Sequence, residues 1–147
     1  MKPYKIPVSV LVVIYTPDLQ VLLLERADHP GYWQSVTGSC DPGERLRQTA
    51  VREVREETGL DANEYELSDW NLQFDFEIFA EWRHRYAPGV TINTEHVFGL
   101  ELPHPLPVTV EPREHLGYLW LPREEAAKKV FSWTNAASIE RLRPKPH

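Results

Sequence analysis

The chain has a single cysteine, Cys40, among its 147 residues, so no intrachain disulfide can form. A fold without such staples suits a reducing cytoplasm. Cys40 itself reads as a small spectator and not as a nucleophile. Long hydrophobic runs are also missing. Val8 to Tyr15 falls far short of the roughly twenty residues that a membrane-spanning helix needs. The Thr16-Pro17-Asp18 turn behind it is no small-residue cleavage site, so a cleavable leader is not expected. The net charge of -6 gives no general affinity for nucleic-acid polymers. The six histidines never take H-E-x-x-H spacing, which leaves zinc without a recognisable site. G-x-S-x-G and G-x4-G-K-[ST] are absent, which excludes the usual serine hydrolase and Walker-type NTPase patterns. No internal repeat or low-complexity block occurs.

What is present suits a compact enzyme. A length of 147 residues is one ordinary domain, 1–147, with room for a real core. A hydrophobic content of 41% and five tryptophans argue against disorder. Nothing in the sequence specifies an oligomeric state.

The most informative stretch is Gly38 to Leu60, GSCDPGERLRQTAVREVREETGL. Arg45 to Thr58 holds no Gly or Pro and is rich in helix formers. Gly59 supplies a C-terminal stop, and Pro42-Gly43 a turn before the helix. Residues three and four apart share a helix face, so Glu53, Glu56 and Glu57 should form one carboxylate cluster. Glu57 projects between Leu46 and Ala50, beside the apolar stripe completed by Val54, so these acids border the buried face. Like charges at such a place repel, and partial burial sharpens the conflict. A hard divalent cation resolves it, because Mg²⁺ takes carboxylate oxygens and keeps positions for phosphate and water. Arg52 can fix one carboxylate, Glu44 or Glu53, through a bidentate pair.

These residues fill every position of G-x5-E-x7-R-E-U-x-E-E-x-G-U, where U is apolar. With seven fixed residues each occurring at roughly one in fifteen to twenty, chance supplies such a match on the order of 10⁻⁹ times per start position. The pattern is the Nudix box, and the chain resembles the Nudix family. That resemblance implies an α/β/α sandwich with a mixed β-sheet and hydrolysis of a diphosphate linkage by water. It also implies Mg²⁺, with Mn²⁺ as a substitute, held by Glu53 and Glu57. Glu56 is a third ligand or the general base, Gly38 contributes through its carbonyl and close backbone approach, and an outside glutamate is drawn from Glu95, Glu111 or Glu114.

The rest of the chain agrees with a mixed sheet between helices. Val8 to Tyr15 and Val21 to Arg26 read as a hairpin joined at Pro17-Asp18, and Tyr32 to Val36 as a short strand. Leu72 to Trp82 alternates with period two, and Thr91 to Leu102 returns after the Ala87-Pro88-Gly89 turn. Pro103 to Pro112 marks an irregular connection, and Leu116 to Leu121 a last strand. Arg123 to Phe131 and Asn135 to Leu142 read as helices. The Arg143-to-His147 tail is expected to fray. Arg83, His84 and Arg85 read as an exposed basic turn, with attraction of phosphate as the second reading.

A narrower resemblance spans most of the chain. YKIPVSVLVVIY, LLLER, YWQSVTGS, FEIFAEWRHRYAPGVTINTEH, EHLGYLWL and SWTNAASIE are similar to the bacterial dihydroneopterin triphosphate pyrophosphatases of folate synthesis, some of which also cleave dATP. It implies a small-molecule triphosphate substrate, metal on Glu53, Glu57 and Glu114, and substrate contacts at Lys5, Arg26, Thr37, Phe76, Glu77, Ile78, Phe79 and Ser132. Lys5 and Arg26, at strand ends, suit phosphate. Glu77, on the polar side of its strand, suits the N–H donors of a pterin. Phe76 and Phe79 are expected on opposite strand faces, so that at most one stacks on the ring. Ser132 has a second reading, as a helix cap. The rival functions are a dATP or general nucleoside triphosphate pyrophosphohydrolase and, from another class, a non-catalytic Nudix ligand-binding module. The complete set of box acids speaks against the module.

Overall fold

A computed structural model describes residues 3–144; the last three residues of the expected frayed tail lie outside that range. Seven strands form one mixed sheet: β1 (Val8–Tyr15), β2 (Gln20–Arg26), β3 (Trp33–Gln34), β4 (Val36–Ser39), β5 (Glu66–Glu77), β6 (Ile92–Glu101) and β7 (His115–Pro122). Its central order is β3-β2-β1-β6-β5, with β4 also paired to β1 and β7 to β2. Only β1 and β6 run parallel among these pairs, from Val8↔Thr94 to Tyr15↔Glu101.

Helix α1 (Leu46–Thr58) covers one face, and α2 (Arg123–Lys129) with α3 (Trp133–Glu140) covers the other. This double cover explains why β1 is an unbroken apolar run, since side chains of both parities are buried. Val10, Val12 and Ile14 pack with Ala50 and Val54 of α1. Leu11 and Val13 pack with Ala126 and Ile139 on the opposite side. Each fully buried Val, Leu or Ile contributes roughly 1.5–3 kcal/mol by area removed from water. The expected α/β/α sandwich is the observed one, and no helix among the described residues is long and apolar enough to cross a membrane.

Helix α1 starts after Arg45, whose backbone N–H donates to the Gln48 side chain at 2.8 Å. It stops at Gly59, where a left-handed φ of 77° lets the N–H turn back to the Arg55 carbonyl.

Several boundaries differ from the sequence pattern for identifiable reasons. The expected strand at Tyr32 to Val36 is split at Ser35, whose N–H donates to Asn135 Oδ1 at 2.8 Å. Strand β5 begins earlier than its alternation suggested, because a bulge between Asp69 and Leu72 breaks the period. It also ends earlier. Ala80 to Trp82 leave the strand and join the 3₁₀ segment Ala80–Arg85, drawn by an aromatic cluster. There Phe79 stacks on Trp82 at 5.2 Å, and both meet Phe131 edge-on. Helix α2 stops before Val130 because Val130 pairs with Trp33 and the Phe131 N–H reaches the Trp33 carbonyl. Helix α3 begins at Trp133 and not at Asn135, since the Ser132 hydroxyl caps it by accepting from the Asn135 N–H.

Candidate active site

Arg52 organises the acidic end of the site from the middle of α1. Its guanidinium grips Glu44 through two bonds of 2.8 and 2.9 Å, donates to Glu53 at 2.6 Å and reaches the Ser39 carbonyl at 3.0 Å. Arg52 therefore holds both carboxylates that the sequence left as alternatives. Hydrogen bonding from Arg52 pulls the Glu44 pKa down to about 2, with further help from the Asp41 N–H and the Thr49 hydroxyl. The same bonds keep Arg52 firmly charged.

The three box glutamates are neighbours, with Glu53 and Glu56 sharing the Arg52 guanidinium, but they differ in burial. Glu53 and Glu57 are 9% and 2% exposed, whereas the Glu56 side chain is 52% exposed and pairs with Arg52 at 3.3 Å. The third carboxylate lies off the buried stripe, toward water. Burial raises the pKa of Glu53, partly opposed by its hydrogen bonds and by Arg52. Burial raises Glu57 further, and the adjoining Glu53 and Glu114 add to the rise.

Gly38 completes this corner. A Cβ on it would overlap the Glu53 carboxyl group, so only glycine lets β4 and α1 approach this closely. Glu114 sits near enough for its charge to act on both Glu57 and Lys5. Glu111 instead organises its own turn, accepting from the Arg113, Glu114 and His115 N–H groups. His115, absent from the sequence-based site, is buried with Nε2 3.7 Å from Glu57 Oε1. That is too long for a hydrogen bond. Burial lowers its pKa to about 4, so it stands beside the acid as a neutral ring.

Among the described residues, no three His, Cys, Asp or Glu side chains converge as a ready-made metal cage. Two buried carboxylates do converge, and Glu57 Oε1 has no hydrogen-bond partner. Such a charge-rich, under-satisfied pair fits a hard cation that keeps several waters and takes few protein ligands.

Next to this corner a cavity of about 230 Å³ opens on the α3 face of the sheet. Lys5, Arg26 and Arg85 supply its cations. Arg26 is locked by two 2.7 Å bonds to Asp28 and one of 3.0 Å to Gln34, and its guanidinium lies 4.4 Å from the Trp82 ring centre. Lys5 is accessible to water yet sits in a concave wall. Desolvation, then Arg85, lowers its pKa, while Glu53 and Glu114 pull the other way. Arg85 thus belongs to the cavity and not to an exposed turn, because the 3₁₀ segment folds it inward.

Phe76 and Phe79 both line this cavity, against the expectation of opposite faces, because the strand ends between them. Thr37, Ile78 and Ser132 are there too, although the Thr37 hydroxyl donates to the Val10 carbonyl. Glu77 lies at the mouth with a 73% exposed side chain, paired to Arg83 at 2.5 Å. Glu95 faces the cavity beside Thr134 and not the acidic corner. Asn93, Trp82 and Phe131 were not anticipated. Asn93 and Glu95 did leave a signal: they share a face of β6 with buried Val97, where apolar residues would be the rule.

An arginine-ordered glutamate pair on a helix packed against a mixed sheet defines a Nudix hydrolase, and the chain belongs to that family: residues 5–142 match the NUDIX domain. Such enzymes require a divalent metal ion. The chain is 50% identical to dihydroneopterin triphosphate diphosphatase of Escherichia coli (strain K12) over 144 residues, covering 96% of this chain and 95% of that protein. It is 42% identical to the Haemophilus influenzae protein of the same name, covering 96% and 90%. The solved structure of the E. coli dihydroneopterin triphosphate pyrophosphohydrolase superposes with a TM-score of 0.90 over 96% of this chain and 97% of that one.

Proposed function

We propose that this protein is a cytoplasmic, Mg²⁺-dependent pyrophosphohydrolase acting on 7,8-dihydroneopterin triphosphate, which it converts to the monophosphate and pyrophosphate for folate synthesis. The observation that carries this reading is the buried Glu53–Glu57 pair, ordered by Arg52, beside a cavity that is cationic at one side and aromatic at another. The names and near full-length similarity of the E. coli and H. influenzae relatives support it.

Glu53 and Glu57 would hold the metal, with Glu114 and the Gly38 carbonyl completing the protein's share. Bound there, Mg²⁺, or Mn²⁺ in its place, neutralises phosphate oxygens and acidifies a water. Lys5 and Arg26 grip the triphosphate with charge-assisted bonds. Thr37, Phe76, Glu77, Ile78, Phe79 and Ser132 surround the organic end. Water oxygen bonds to one phosphorus of the α–β bridge, the bridging P–O bond breaks with its oxygen staying on the other phosphorus, and monophosphate and pyrophosphate separate. Glu56, exposed beside the buried pair, is a third ligand or takes the water proton. Arg52 and Glu44 touch no reacting atom; they are positioning residues.

Turnover of dihydroneopterin triphosphate, dATP and the other nucleoside triphosphates with Mg²⁺, scoring pyrophosphate apart from phosphate, tests this. A kcat/KM preference for the pterin with pyrophosphate released is expected. Preference for dATP would keep the chemistry and replace the substrate. Failure on every compound would leave a ligand-binding module.

A further inference from the structure

Two acceptors at the floor of the cavity have nothing to accept. Asn93 and Glu95 are 1% and 5% exposed, line the cavity, and carry Asn93 Oδ1 and Glu95 Oε1 without hydrogen-bond partners. Their polar neighbours are engaged. Asn93 Nδ2 donates to Ser9 Oγ at 2.8 Å, and Asn135 is bound at both ends to Ser35. Thr134 hydrogen-bonds the Glu95 carboxyl group. A buried acceptor left unsatisfied is costly, so two of them on one strand face call for a ligand that brings donors.

The geometry narrows those donors. Residues two apart on a strand project to the same face with Cα atoms roughly 6–7 Å apart, a span two side chains can close upon a single nitrogen. An amino group on a heteroaromatic ring offers two hydrogens from one nitrogen. The surrounding Phe76, Phe79, Trp82 and Phe131 suit the flat ring that carries it.

We propose that Asn93 and Glu95 are specificity-determining residues that accept the two hydrogens of an exocyclic amino group, so that the cavity selects amino-bearing heterocyclic triphosphates over their oxo counterparts. This rests on the cavity being the site of the substrate's ring. A pterin satisfies the requirement through its 2-amino group and adenine through its 6-amino group. Above about pH 7 Glu95 is ionised and only accepts. An oxo group at the same place then turns a lone pair toward two acceptors and is rejected, so the comparison is made at pH 8.5. Glu77 lines the same cavity, exposed and paired with Arg83.

The test compares dATP with dITP, which replaces the 6-amino group by oxo. The native chain should favour dATP in kcat/KM by on the order of 10²-fold, since buried acceptors left facing an acceptor discriminate strongly. Glu95→Met and Asn93→Leu, which keep volume and remove acceptors, should each reduce that ratio at least about tenfold. A ratio near one in the native chain, or one unmoved by either floor substitution, overturns the proposal. Binding of free 7,8-dihydroneopterin in EDTA, followed by tryptophan fluorescence, supplies a readout apart from turnover. It should weaken at least about tenfold in Glu95→Met, and equal affinity would overturn the assignment. Should Glu95→Met fail to fold, Asn93→Leu decides. A native chain that prefers dATP to the pterin triphosphate would defeat the proposed substrate while leaving the dATP:dITP ratio to judge Asn93 and Glu95 alone.

Discussion

Gly38 and Glu53 touch so closely that a single added methyl on the glycine would occupy the space of the carboxyl group. The strand-to-helix contact thereby fixes where one half of the acidic pair can stand.

Gly38→Ala should therefore push Glu53 aside while leaving both cores intact. A displacement of about 1 Å can cost on the order of 10²-fold in rate, and that is the loss expected in kcat/KM. Steady-state kinetics alongside circular dichroism would check it; near-native turnover in a folded variant would show that Glu53 can move freely.

Glu57→Gln removes a charge that burial already disfavours. Without metal the variant should be at least as stable as the native chain, yet turnover should fall on the order of 10³-fold. Added Mg²⁺ should raise the native Tm, as ligand binding to the folded state must, and lose that effect in the variant. An equal Mg²⁺-induced rise in both would remove Glu57 from the metal site.

Arg52→Lys keeps the charge but not the fork that holds Glu44 at two points and Glu53 at a third. A lysine cannot reproduce that geometry. Turnover should drop about 10- to 100-fold, the range seen when partners that orient metal ligands are lost. The apparent affinity for Mg²⁺, measured by titration, should fall with it.

Stability should also depend on Glu95. Burial raises its pKa to about 7 from the ordinary 4.5, so between those values the folded chain binds the proton more tightly than the unfolded chain does. The contribution is complete below about pH 4.5 and is lost as pH rises through about 7, amounting to on the order of 3 kcal/mol. Denaturant unfolding of the metal-free protein at pH 5 and pH 8 should show this decline, and Glu95→Gln should flatten it. An unchanged slope in the variant would assign the decline to other groups.

The readings that held were those based on local repetition. The box residues share one helix, and a 3.6-residue period with a terminal glycine placed that helix within one residue of its observed start. The order of strands and helices suited a mixed sheet between helices, and that is the observed arrangement. Where local pattern competed with distant partners, it lost. The aromatic contacts of Phe79 and Trp82 with Phe131 ended β5 early, and Asn135 broke the strand at Ser35 from 100 positions away.

The amino-acid sequence alone thus determined the chemistry of this protein: the acids, the arginine and the glycine of its helix and loop are contiguous, so their spacing is their geometry. Tertiary structure alone decided that Glu56 faces water and what the ring cavity is made of. Burial sends Glu56 outward and Glu53 and Glu57 inward. The cavity draws Lys5, Arg26, Arg85, Asn93 and Glu95 from segments far apart in the chain. Their meeting depends on the pairing of β1 with β6 and the packing of α3, contacts that no local period encodes.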